Sequence, residues 1–142
     1  MGLTLPAVAA PVGAYVPAVR TGRYIYTSGQ LPLVGGSLRY KGKVGLDLTP
    51  EEGYEAARIC ALNALAAAAS VVDDTEQIVR VVKVNGFVNT APDFTAHAGV
   101  INGASELLGK IFMDGHARAA VGMASLPLDA AVELEMILEV TE

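Results

Sequence analysis

The chain has 142 residues, 52% of them apolar, a formal net charge of −5 and one cysteine. That length suits one domain, the apolar share excludes a disordered chain, and a lone thiol excludes an intrachain disulfide. An acidic chain with scattered cations also lacks the basic stripe that nonspecific nucleic-acid binding needs, so nucleic acid is not an expected partner.

Residues 1–10 read as an N-terminal arm and residues 11–142 as a single domain. Pro6 and Pro11 oppose regular helix around the arm. The start lacks the basic and apolar runs of a signal peptide, and the alanine-rich run from Cys60 is too short for a confident membrane span. A cytoplasmic protein with no membrane partner is expected. Tyr15–Val19 and Tyr24–Ser28 have strand composition, with a turn at Thr21-Gly22, and Pro17 suits an edge position. Residues 31–48, punctuated by Pro32, Gly35, Gly36, Gly42 and Gly45, form a long irregular connection of the kind that often has a functional reason. Arg20, Arg23, Arg39, Lys41 and Lys43 read either as a solvated rim or as an anion-attracting edge.

Thr49, Pro50 and Glu52 spell a helix start, with a capping box and proline at the first helical position. The alanines that follow favour helix, and Ala57, Ala61, Leu65 and Ala68 recur on one face that should dock closely on a sheet. Cys60 lies on this helix as a packed core thiol. A β-branched strand runs from about Ile78 to Val88, where Gly86 marks a bulge or a close backbone approach. A second helix starts at Asp93 or Thr95 and ends near Phe112; Gly99 and Gly103 each weaken it by about 1 kcal/mol relative to alanine. Two strands follow, HARAAVGMAS and AVELEMILEV, joined by a tight LPLD connection. The order implies an α+β fold: a single mixed sheet with two helices packed on one face. The other sheet face would then need water or a partner, and an apolar lining would favour a partner.

Alternation along the last two strands puts His116, Arg118, Ala120 and Gly122 on one face, and Glu133, Glu135, Ile137 and Glu139 on one face of the next. A guanidinium in an apolar strand needs a partner, and its planar fork suits a carboxylate. Arg118 and Glu133 therefore read as a structural salt bridge across a hairpin, as a site in which Arg118 holds an anionic ligand while Glu133 handles a water or a proton, or as separate solvated charges. His116 is structural or lines that site, and His97 caps a helix or faces solvent. Thr27–Gln30, TSGQ, can present backbone N–H groups to an anion or carbonyl oxygen. No dinucleotide fingerprint, phosphate loop or zinc-ligand spacing occurs, so no cofactor or metal is implied.

PVGAYVPAV, YTSGQLPL, the block ending in VNGFVN, and above all ARAAVGMASLPLDAAVELEMI resemble the Rid/YjgF family over about residues 11–140. This family comprises reactive intermediate deaminases, also labelled endoribonuclease L-PSP or translation initiation inhibitor, and the chain resembles a divergent branch of it. The resemblance implies a chorismate-mutase-like fold and a homotrimer with ligand clefts between subunits. It assigns Arg118 to the carboxylate of a 2-imino or 2-enamino acid and Glu133 to water near the imine carbon. Tyr15, Ser28, Gly29 and Asn102 become ligand-binding residues. Ala120 stands where the family often has cysteine. The implied reaction is cofactor-free deamination to a 2-oxo acid and ammonia. The alternatives are a protein that binds a small carboxylate-bearing ligand without catalysis, and an RNA-acting protein.

Overall fold

Thr49 opens the longest helix as its spacing to Glu52 requires: Thr49 Oγ1 accepts from Glu52 N at 3.1 Å, and Glu52 Oε1 accepts from Thr49 N at 3.0 Å. The computed structural model, which describes residues 3–141, runs this helix, α1, over Pro50–Ala69. Its buried face is built largely of alanines, including Ala57, Ala61, Ala64 and Ala68. Such short side chains let the helix axis approach the sheet and its neighbouring helix closely. The buried Asn63 on α1 donates to the Leu31 and Leu33 carbonyls at 2.9 and 3.0 Å, which ties the preceding loop to the helix.

The main sheet has five strands: β1 (Ala18–Thr21), β2 (Tyr24–Thr27), β5 (Ile78–Asn89), β6 (Ala117–Met123) and β7 (Val132–Val140), in the order β1-β2-β7-β5-β6. β5 and β6 are parallel and the other pairs antiparallel. A second helix, α2 (His97–Ile111), makes the crossover between the parallel strands. This is the expected α+β arrangement.

Three expectations change. First, β6 and β7 do not pair as a hairpin. The crossover through α2 returns β6 to the outer side of β5, while β7 enters between β2 and β5. β7 suits that central slot because Val132, Leu134, Met136, Leu138 and Val140 alternate into the core. Second, α2 begins at His97 rather than at Asp93 or Thr95, with no side chain capping it. Third, the first strand begins at Ala18; Tyr15 and Val16 are exposed, and Pro17 before the strand supplies no N–H.

Gly86 is a close approach rather than a bulge: a Cβ there would lie 2.6 Å from Ile101 Cδ1. The register shifts of β5 fall instead between Ile78 and Lys83. Gly103, costly to an isolated helix, sits so tightly on the Tyr54 carbonyl of α1 that no side chain fits.

The 31–48 connection contains a small hairpin, β3 (Leu33–Val34) with β4 (Ser37–Leu38). Beyond the hairpin it is pinned to the sheet: Gly42 N donates to Asp129 O and Val44 N to Asn89 O, both at 2.8 Å. Lys43 is not a solvated rim residue, because Nζ donates to Asn89 Oδ1 at 2.9 Å and to the Ala124 carbonyl. Arg23 meets Glu139 at 3.4 Å, whereas Arg20, Arg39 and Lys41 are exposed. The sheet face away from the helices mixes Glu133, Glu135, Ile137 and Glu139 with Phe87, Tyr24 and Tyr26, so it is not the uniformly apolar surface considered from the sequence. Among the described residues no helix is long and apolar enough to cross a membrane.

Candidate functional site

Arg118 and Ala120 stand opposite Val84 and Gly86, which are buried beneath α2, so their side chains point to the helix side of the sheet. There the guanidinium meets one face of α2. Nη1 donates to Asn102 Oδ1 at 2.7 Å and to Ser105 Oγ at 3.2 Å, and Nη2 reaches the Ala98 carbonyl at 3.5 Å. Asn102 and Ser105 present together because they are three residues apart on a helix. His116 Nε2 lies 2.9 Å from the same Ser105 hydroxyl. Burial holds the His116 pKa below its usual value, and the Arg118 charge lowers it further. No carboxylate among the described residues pairs with Arg118. Its remaining donors can therefore take a planar anion.

Glu133 stands opposite Phe87 on β5 and points to the other face. The chain after β2 runs beside β7, with Gln30 N donating to Leu134 O at 2.8 Å. This brings Gly29 under the Glu133 carboxylate, where a Cβ would collide with Oε2. Burial raises the Glu133 carboxyl above its usual pKa, and the charge of Glu135 adds to the shift. Ser28 is anchored at both ends: its hydroxyl donates to Val16 O at 2.6 Å and its N–H to Pro17 O at 2.8 Å. The anchored segment leads back to Tyr15, whose hydroxyl accepts from Val12 N at 3.2 Å. Tyr15, Gly29, Gln30 and Pro11 line a crevice of about 10 Å³, room for a single water.

The residues singled out from the sequence thus fall into two groups. Tyr15, Ser28, Gly29 and Glu133 gather at one place, and Asn102, His116 and Arg118 at another. The two groups are not joined within one chain: β5 separates their strands, and register sends them to opposite faces. The salt bridge between Arg118 and Glu133 is accordingly absent. His97 neither caps by its side chain nor faces open solvent. Its ring packs edge-on to Phe94 with centroids 5.9 Å apart, and it covers Gly122, where the missing side chain leaves room for it. Sequence reasoning missed Ser105, although its three-residue spacing from Asn102 was a usable signal. Cys60 is buried in the core, as expected, with Sγ 3.6 Å from the Val132 carbonyl.

Residues 1–140 match the family model described as "YjgF/chorismate mutase-like, putative endoribonuclease". The chain is 44% identical to Protein TCP17 of Trypanosoma cruzi over 98% of its own length and 89% of that protein. It is 29% identical to a 2-iminobutanoate/2-iminopropanoate deaminase of Dermatophagoides farinae, covering 96% of this chain and 93% of the relative. Among solved structures, Atu1372 of Agrobacterium tumefaciens, a protein of unknown function, superposes with a TM-score of 0.89 at 44% identity, over 99% of this chain and 87% of that one. The chain belongs to the YjgF/chorismate-mutase-like family.

Proposed function

We propose that the protein hydrolyses 2-imino and 2-enamino acids to 2-oxo acids and ammonia, in clefts between the subunits of a homotrimer. The observation that carries this reading is the unfilled donor edge of Arg118, held by Asn102 and Ser105 with no carboxylate of its own. A substrate carboxylate seated there fixes the adjacent carbon, and fixing that carbon is most of what this reaction asks of a protein.

Glu133 supplies the proton handling. Water adds to the iminium carbon as its proton passes to the carboxylate. The resulting carbinolamine breaks its C–N bond as the proton returns to nitrogen, leaving a 2-oxo acid and ammonium. An enamino acid enters by first taking a proton on its β-carbon. A carboxyl with a raised pKa suits a group that must both accept and return a proton near neutrality. Gly29 permits the carboxylate's position, while Ser28 and Tyr15 hold that wall of the cleft. Because the sheet separates the two groups in one chain, Arg118 of one copy works with Glu133 of the next. The deaminase from Dermatophagoides farinae supports this chemistry at the level of a distant relative.

A second reading, a carboxylate-binding protein without turnover, is favoured by the completeness of the Arg118 cradle within one chain. An RNA-acting role has less support, since the net charge is −5 and both Arg23 and Lys43 are already engaged.

The deciding experiment generates 2-imino acids of several side chains with an amino acid oxidase, with catalase present, and follows 2-oxo acid release. Acceleration by the wild type that is lost in R118A and reduced in E133Q supports deamination. Saturable binding of the 2-oxo acid without acceleration, at high concentrations of folded protein, would leave the binding reading instead.

A further inference from the structure

One hydroxyl, Ser105 Oγ, sits between two basic side chains: 3.2 Å from Arg118 Nη1, which donates to it, and 2.9 Å from His116 Nε2. Arg118 occupies one lone pair of the oxygen permanently, because a guanidinium only donates. With neutral His116 carrying its proton on Nδ1, the serine hydrogen points to Nε2. With His116 protonated, Nε2–H takes the second lone pair, and the serine hydrogen is turned out of the triad. From the Nδ1–H tautomer, protonation of His116 thus frees the Ser105 hydrogen to donate to something else.

We propose that His116 takes up a proton when a carboxylate settles on Arg118, so that anion binding and proton binding are coupled through the shared Ser105 hydroxyl. His116 is then a positioning residue: it aims the Ser105 O–H at the bound anion and adds a positive charge beside it. This rests on the reading of Arg118 as the carboxylate anchor.

The surroundings give the coupling its sign. The charged side chains on the neighbouring elements are Arg118 on β6, Glu106 and Lys110 on α2, Arg80 and Lys83 on β5, and Asp114 in the connection between α2 and β6. Glu106 is engaged by Tyr54 at 3.2 Å, Arg80 donates to the Gly115 carbonyl at 3.2 Å, and Lys110 and Asp114 are exposed. Of these charges, that of Arg118 is felt at His116, and it favours the neutral ring. An anion on Arg118 offsets that charge, and the ring then binds its proton more tightly. By linkage the anion binds more tightly at low pH.

The test uses the whole protein with pyruvate as probe, and NMR titration of the ring protons of its two histidines, with H116Q making the assignment. Saturating pyruvate is expected to raise the His116 pKa by about half a unit, which corresponds to affinity about three-fold tighter below that pKa than above it. H116Q should lose this part of the pH dependence, and any dependence it keeps belongs to Glu133. In R118Q without ligand, the His116 pKa should rise. An unmoved His116 in R118Q, or pyruvate binding with the same pH dependence in wild type and H116Q, would overturn the coupling while leaving Arg118 as the anchor. Failure of pyruvate to bind wild type at any pH would overturn the anchor and the coupling together.

Discussion

Gly29 lies directly beneath the carboxylate of Glu133, and the space a methyl group would need is already occupied by Oε2. The contact is with the end of a flexible side chain rather than with backbone. Gly29→Ala should therefore leave the fold intact and push the carboxylate aside. The expected result is a fall in kcat of ten-fold or more with an unchanged circular dichroism spectrum. In an E133Q background the same substitution should add little, because the two residues then act as one unit.

Asn102 fixes one hydrogen of Arg118 at 2.7 Å. Asn102→Ala removes a charge-assisted hydrogen bond worth about 1.5–3 kcal/mol, part of which Ser105 and water recover. The guanidinium loses its aim rather than its charge. We expect KM for imino acids to rise about ten-fold with a smaller change in kcat. An unchanged KM in steady-state assays would show that Ser105 and Ala98 suffice.

The surroundings of Glu133 disfavour its charge, by burial first and by the charge of Glu135 second. Its folded-state pKa is raised above the unfolded value, so ionisation destabilises the native state: the destabilisation is absent below the unfolded pKa and complete above the folded one. E133Q should therefore melt higher than wild type at pH 7.5, and the difference should shrink as pH falls into the range where Glu133 is protonated. Thermal unfolding at both ends of that range measures it. A gain of equal size at both ends would assign the effect to packing.

Cys60 is buried and its thiol pKa is raised well above the usual value, by burial first and by the Glu133 charge second. It should resist a thiol-reactive reagent at pH 8 in the native protein and react fully in denaturant. Rapid native-state labelling would show that α1 opens locally.

The hydrogen bonds of the capping box join only Thr49 and Glu52 and involve neither group of site residues. Thr49→Ala should reduce stability by about 1 kcal/mol in urea titrations. Deamination should not change, which makes this substitution a control for effects that arise from stability alone.

The helix start at Thr49 and the alanine face of α1 were readable because both depend on neighbours in sequence. The face shared by Arg118, Ala120 and Gly122 followed from alternation alone. What alternation could not supply was the strand order. Two strands joined by a short connection suggest a hairpin, and only the α2 crossover, whose parallel return places β6 outside β5, decides otherwise. The separation of Arg118 from Glu133 depends on that long-range choice. Lys43 was misread for a related reason: its partners, Asn89 and Ala124, are distant in sequence and come together only when the loop is laid against the sheet. The start of α2 was missed because neither Asp93 nor Thr95 caps it, so composition carried no signal at His97.

The sheet that stands between Arg118 and Glu133 has a genetic consequence. If each cleft draws its arginine from one chain and its glutamate from the next, R118A abolishes and E133Q reduces activity, and they damage different walls. Mixed in one assembly, an E133Q chain still offers a sound arginine and an R118A chain a sound glutamate. Random pairing in a cyclic trimer restores roughly a quarter of the clefts. The two impaired alleles expressed together would then complement each other, whereas either one paired with a chain carrying both substitutions would not.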